Sequence, residues 1–355
     1  MAERRAPIAG RYTQQEVALA ARNRGMPLEA LRFDVTPAGL HYLLIHFDIA
    51  GGDEAQWRLE VHGEVREPLS IGMAELKAMP ARTLRVTLEC AGNGRGQVSP
   101  RYPSVPWLEE GVSTAEWTGV PLAAVLRRAG LAAAAKEVAF HGADRGIDRG
   151  VEHDFARSLA VDEAMRESVL LAYAMNGAPL PPQHGAPLRL VVPGWYGMAS
   201  VKWLQRIEVL DRAFDGLQQV GSYHFKTHAL DPGVPCRRIR VNSAILPPGI
   251  PDFFTRQRTL GAGPVSVMGR AWSGEAPVRR VELAIDGRWH DARLQAPSGA
   301  HDWLAWSFEW RAERGEHELA SRATDALGNV QPLEPVWDLG GFGNNAVHRV
   351  KVTVR

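Results

Sequence analysis

Cys90 is the side chain with the widest chemical options. It stands in Thr87-Leu88-Glu89-Cys90-Ala91-Gly92-Asn93-Gly94-Arg95 and is one of only two cysteines in 355 residues. A β-like apolar run delivers its sulfur to a Gly/Asn-rich turn beside an arginine. In that setting a thiol can be a soft metal ligand, a nucleophile or a small buried hydrophobe. A nucleophile needs a base, and His62, His141, His153 and His184 are the candidates, none of them in a Cys–His protease signature. CxxC, HExxH, GxGxxG and Walker motifs are missing from the sequence. The scattered histidines also lack the spacing of a zinc site.

Two further stretches carry polar groups suited to an anion. In His184-Gly185-Ala186-Pro187-Leu188-Arg189, proline-stiffened backbone presents an imidazole and a guanidinium fork. A turn-capping histidine with a surface arginine fits the same residues. In Val191-Val192-Pro193-Gly194-Trp195-Tyr196-Gly197-Met198-Ala199-Ser200-Val201-Lys202-Trp203, two glycines permit close backbone approach and Lys202 adds a point charge. An aromatic core loop would read the same way.

Several elements must hold these groups. The pattern predicts helices over Gln14–Asn23, Ile71–Met79 and Val120–Ala129, with a helical turn at Val161–Ala164. Strands are predicted over Trp57–Gly63, Thr83–Glu89, Glu137–His141 and Leu188–Val192, and the apolar run Ser168–Met175 ends at the Asn176-Gly177 turn. This irregular alternation implies a mixed α+β domain and not a Rossmann fold. After Asp231-Pro232-Gly233-Val234-Pro235 the pattern changes to short strands: Ile239–Asn242, Val265–Trp272, Arg279–Ile285, Trp303–Trp310, Gly315–Thr324 and His348–Val354. Asp286-Gly287 marks a hairpin. This part reads as an antiparallel, immunoglobulin-like β-sandwich. Trp303 and Trp306 are either surface aromatics for a partner or core residues.

The length suffices for two domains. The 41 basic and 40 acidic residues leave a net charge of +1, which provides no electrostatic drive towards nucleic acid or an anionic membrane. Met1-Ala2-Glu3-Arg4-Arg5-Ala6-Pro7 is charged, with no apolar stretch behind it. A membrane span is therefore not expected, and the cytoplasm is, the periplasm only if a signal has been removed.

The order of the motifs resembles the sulfite oxidase family: a molybdenum-cofactor domain followed by a dimerisation domain, with no haem segment. The resemblance rests on Leu88–Arg95, on Leu170–Pro181 continuing into His184–Arg189, and on Val192–Gly194 through Ser200–Leu204. In the second part it rests on Asp325–Pro332 and Asn345–Val350, and it covers about residue 38 to the C-terminus. It implies a lead-in at 1–37, a molybdopterin-binding domain at 38–232 and an immunoglobulin-like dimerisation domain at 233–355.

By the same resemblance, Cys90 is the thiolate ligand of molybdenum held by a pyranopterin dithiolene. His184 and Arg189 match positions that hold the cofactor's phosphate, Lys202 matches a nearby cofactor-contacting position with Ser200 in the same segment, and Asp144 matches the carboxylate that contacts the pterin. His46 lies in the segment Gly39–Phe47, which reaches the cofactor, and His41 and Tyr42 accompany it. Arg95, Tyr223 and Trp107 match the substrate pocket, although Gly221-Ser222 replaces the usual Arg-Asp before the tyrosine. The implied reaction is oxidation of sulfite to sulfate by oxygen-atom transfer, with electrons passing to an external acceptor such as a cytochrome, in a homodimer. Two pocket arginines of the family are replaced, one by Leu44-Ile45 and one by Gly340. Their loss weakens attraction for a dianion, and His224, Lys226, His228 and Arg101 are the nearby substitutes in sequence. Oxygen-atom transfer on a neutral S-oxide or N-oxide is the alternative.

Overall fold

The computed structural model describes residues 12–355, and the charged N-terminal segment 1–11 lies outside the described residues. The first half runs α1 (Gln14–Arg22), β1 (Arg58–Gly63), β2 (Leu69–Gly72), α2 (Met73–Ala78), β3 (Arg82–Glu89), β4 (Val112–Pro121) and α3 (Leu122–Ala129). It continues with β5 (Glu137–Asp148), β6 (Val151–Ala160), α4 (Val161–Ala164), β7 (Leu170–Met175), β8 (Ala178–Pro179), β9 (Arg189–Val191), β10 (Leu204–Leu210) and α5 (Leu217–Val220). One sheet has the order β2-β1-β10-β5-β6, and a second is β3-β4-β7 with β8 and β9 both on β7. Within these sheets β1 and β10 pair parallel, and all other ladders are antiparallel.

The helices follow local signals. Thr13 and Glu16 close a capping box on α1. In α3, Leu122, Ala123, Val125, Leu126 and Ala129 are buried, and Gly130 ends the helix. Elsewhere strand pairing prevails. The helix expected over Ile71–Met79 starts only at Met73, because Ile71 pairs with Leu59 in the β1–β2 ladder. Val120 and Pro121 belong to β4, so the next helix starts at Leu122. Neither β4 nor β6 has a clean period of two. Most of β4 is buried on both faces, which removes the alternation that would announce it. The architecture is therefore sheet-rich with few helices.

The second half begins with a small ladder of β11 (His224–Phe225) and β12 (Val234–Pro235), followed by β13 (Asn242–Leu246), β14 (Ile250–Pro251), β15 (Arg258–Leu260), β16 (Gly263–Trp272), β17 (Val278–Ile285), β18 (Arg288–Asp291), β19 (Arg293–Leu294), β20 (Leu304–Ala312), β21 (Gly315–Asp325) and β22 (His348–Val354). Two sheets result, β13-β16-β20-β19 and β14-β15-β22-β21-β17-β18. They share one apolar core, with Ile245, Val267 and Trp306 from the first and Leu283, Leu319 and Val352 from the second. The Asp286-Gly287 hairpin forms as expected, both residues at positive φ. The strand expected at Ile239–Asn242 starts at Asn242 instead. Ile239 is occupied by main-chain bonds to Gly194 and Gly274. Trp303 and Trp306 are buried, so they are core residues and not surface aromatics.

The halves are joined beside Cys90. Glu89, at the end of β3, accepts hydrogen bonds from Trp272 Nε1 (2.8 Å) and Asn242 Nδ2 (3.1 Å) of the second half, and from Asn93 Nδ2 (2.9 Å) of the turn. Burial raises its carboxyl to about pH 7.

Candidate cofactor and substrate site

Cys90 directly follows β3, where the chain turns to meet the segment 107–111. Cys90 N–H donates to Gly111 O, Gly94 N–H to Leu108 O and Gly96 N–H to Trp107 O. The Asn93 side chain accepts from Gly111 N–H at 2.9 Å. The sulfur accepts the Gly92 N–H at 3.4 Å. Burial pushes the thiol up, and the nearby Arg95 guanidinium opposes that push. Gly92 lacks a Cβ for a visible reason: one placed there would lie 2.6 Å from Arg95 Cζ.

Two cavities meet at this sulfur. The inner one is lined by every residue expected to hold a cofactor: His46, Cys90, Asp144, His184, Arg189, Ser200 and Lys202. His41, Tyr42 and Phe155 also line it. The outer, wider one opens to solvent past Cys90, Arg95, Trp107 and Tyr223. Cys90, His46, Tyr223 and Leu44 face both.

The polar groups of the inner cavity are unfinished. Arg189 opens β9, lies over the Trp117 ring (4.6 Å) and donates to the carbonyls of His184 (3.1 Å) and Ser200 (3.2 Å). Lys202 Nζ donates to the carbonyls of Leu44 (2.8 Å) and Gln183 (3.1 Å). Neither cation has a carboxylate within ion-pair distance among the described residues. Burial lowers Lys202 to about 7 and Arg189 to about 10. His184 sits against His41, ring centroids 5.2 Å apart, and burial lowers it to about 2. His41 donates from Nδ1 to Tyr42 O at 2.9 Å, which leaves Nε2 as an acceptor with no partner. Asp144 stands at the bulge of β5, its Oδ1 also unpartnered, and burial raises it to about 7. Ser200 is the exception, because its Oγ already accepts Val192 N–H at 3.1 Å.

Such a set fits one kind of guest. Two uncompensated cations call for an anionic group, two orphaned acceptors call for N–H donors, and a single soft sulfur waits at the far end. Among the described residues no cluster of three or more His, Cys, Asp or Glu side chains could hold a metal without such a guest.

In the outer cavity Arg95 Nε donates to Gly340 O (2.9 Å), and the guanidinium lies over the Phe342 ring (5.2 Å). The loop that seats it is organised by Asp338, whose carboxylate accepts from Gly340 N (3.0 Å), Phe342 N (2.8 Å) and Lys226 N (2.7 Å). Gly341 takes a φ of 63°, and a Cβ there would lie 2.6 Å from Arg95 Cγ. Tyr223 adopts a φ of 56°, and its hydroxyl is 2.7 Å from His46 Nε2. Burial lowers His46 to about 3. Trp107 is buried on the wall.

Of the substitute cations, His224 and Lys226 line the outer cavity, while Arg101 is paired with Glu16 and His228 lies elsewhere. Of the candidate bases for Cys90, His184 shares its cavity, while His62, His141 and His153 do not. Sequence reasoning missed three residues. Phe155 stacks on His46 at 4.4 Å, Arg157 lies over the Tyr223 ring at 5.4 Å, and Glu89 joins the halves. The signal for Arg157 was a charge inside the mostly apolar run Phe155–Ala160.

Residues 46–218 match the oxidoreductase molybdopterin binding domain, and residues 235–355 match the Mo-co oxidoreductase dimerisation domain. The chain belongs to the sulfite oxidase family. It is 34% identical over 347 residues to mitochondrial sulfite oxidase of Homo sapiens, covering 90% of this chain and 62% of that protein. It is 32% identical over 371 residues to nitrate reductase [NADH] 2 of Phaseolus vulgaris, covering 94% of this chain and 41% of that protein. The chain thus spans under two thirds of the length of these relatives. Among solved structures, the sulfane dehydrogenase SoxCD from Paracoccus pantotrophus superposes with a TM-score of 0.79 at 25% identity, covering 99% of this chain and 95% of that one. The chain carries a molybdopterin-binding oxidoreductase domain, and its cofactor is molybdenum–molybdopterin. Among the described residues no helix is long and apolar enough to cross a membrane.

Proposed function

We propose that this protein oxidises sulfite to sulfate by oxygen-atom transfer: sulfite and water become sulfate, two protons and two electrons, the electrons leaving to an external acceptor such as a cytochrome. The observation that carries this reading is Arg95, a buried guanidinium on the cavity that exposes Cys90, with no carboxylate within ion-pair distance among the described residues. When bound, the cofactor supplies the oxygen-atom and two-electron chemistry.

The chain's own residues hold and orient the reactants. Cys90 is the metal's thiolate. Arg189, Lys202 and His184 hold the phosphate, while His41 Nε2 and Asp144 accept pterin N–H groups. Ser200 braces the loop through Val192. Arg95 orients the anion and offsets the charge that builds up during transfer. His46, neutral because burial lowers it to about 3, donates from Nε2 to the Tyr223 oxygen, which leaves the Tyr223 O–H free to donate to the anion. Trp107 walls the pocket.

A second reading, transfer on a neutral S-oxide or N-oxide, is favoured by Leu44, Ile45 and Gly340, where the family resemblance implies arginines. Nitrate is a further acceptor to test, given the nitrate reductase relatives. Anaerobic mixing with millimolar sulfite should reduce the molybdenum. Failure to do so, with reoxidation of chemically reduced enzyme by nitrate or by an oxide, would replace the sulfite reading. We further propose domains at 38–232 and 233–355 after a lead-in at 1–37. The second is an immunoglobulin-like sandwich that pairs two copies of the chain, supported by its two sheets over one core and by the dimerisation-domain match.

A further inference from the structure

β6 places two side chains behind the substrate cavity. Phe155 and Arg157 are two residues apart and share a face of the strand. Phe155 stacks on the His46 ring, and the Arg157 guanidinium lies over the Tyr223 ring, Cζ 5.4 Å from its centroid. His46 and Tyr223 are themselves linked at 2.7 Å and line both cavities.

Arg157 is 4% exposed. Its Nη1 donates to Gln218 O in α5, and its Nε has no partner. No carboxylate lies within ion-pair distance of it among the described residues. A guanidinium is expensive to bury, and one carbonyl and one aromatic face satisfy only part of it. What remains is positive potential directed through Tyr223 at the cavity, in a medium where charge is poorly screened. Two arginines line that cavity, Arg95 and Arg149; Arg149 is engaged by Asp148 and by the Gly221 carbonyl, and no cationic side chain stands at Leu44, Ile45 or Gly340.

We propose that Arg157 is a positioning and specificity residue of the anion pocket: it fixes Tyr223 through α5 and supplies from behind the ring part of the positive charge missing at Leu44 and Gly340. The inference rests on the reading of the outer cavity as an anion site.

The test is calorimetric titration of the purified holoenzyme with sulfate, for the parent, Arg157→Gln and Arg157→Lys, alongside steady-state KM and kcat with sulfite. Arg157→Gln should weaken sulfate by about tenfold or more and raise KM in step, with kcat changed much less. Arg157→Lys should stay within about threefold of the parent, because charge is what the site needs. A merely structural role would lower the melting temperature of both variants and leave sulfate affinity unchanged. Sulfate affinity of Arg157→Gln within twofold of the parent overturns the proposal, as does a parent that binds no sulfate at tens of millimolar. If Arg157→Gln does not fold, Arg157→Lys decides, and a tenfold loss there overturns it. Sulfate binding needs no redox step, so a parent that sulfite cannot reduce defeats the sulfite reading while the titration still judges Arg157.

Discussion

In the proposed function Arg95 and Cys90 divide the chemistry between them: the sulfur would hold the metal, and the guanidinium would hold the anion that reacts there. Arg95→Met removes a buried, charge-assisted contact and should raise KM for sulfite by about ten- to a hundredfold, read from initial rates, with smaller effect on kcat. Arg95→Lys should rescue poorly, since the fork seated on Gly340 O is what Gly92 and Gly341 leave room for. A different residue sets part of the acid stability. His348 accepts Ile245 N–H on Nδ1 at 2.9 Å, and burial lowers it to about 4 from 6.5. Between those values the unfolded chain binds a proton that the folded chain refuses. Stability therefore falls as pH drops from 6.5 towards 4, by about 3 kcal/mol in all. His348→Asn keeps an acceptor without the titration. The fall in urea midpoint between pH 7 and pH 5 should be smaller in this variant than in the parent.

At the scale of elements, the loop 338–343 is the support of the pocket. One carboxylate, Asp338, receives three backbone N–H groups there. Asp338→Ala should cost about 2–4 kcal/mol in denaturant unfolding and raise KM as well, because Arg95 loses its seat. The same scale shows what was legible beforehand. The turn after β3 and the run from His184 to Lys202 could be read because glycine, proline and charge mark them locally. β4 and β6 could not, because burial on both faces or a polar start hides their period. With β6 went Phe155 and Arg157, whose importance depends on which ring each one meets.

Across the whole molecule, Glu89 makes the two halves one unit at the residue next to Cys90. Glu89→Ala strands three buried donors, on Trp272, Asn242 and Asn93, and should destabilise by about 3 kcal/mol or more. Calorimetry should then resolve two transitions where the parent has one. The dimerisation-domain match leads to a further expectation: sedimentation at micromolar concentration should give twice the monomer mass. A monomer mass would remove the homodimer from the proposed function.

The amino-acid sequence by itself determined the cofactor class and the places of Cys90, Asp144, His184, Arg189 and Lys202, since contiguous motifs with their own turn chemistry carry them. Through the family resemblance it also implied two absent pocket arginines, at Leu44 and Gly340. Only the tertiary structure decided that two cavities meet at one sulfur, that Asp338 seats Arg95, and that a guanidinium from β6 stands behind Tyr223. Those facts depend on contacts between segments tens to hundreds of residues apart, and strand pairing and packing create such contacts without leaving a local pattern to read.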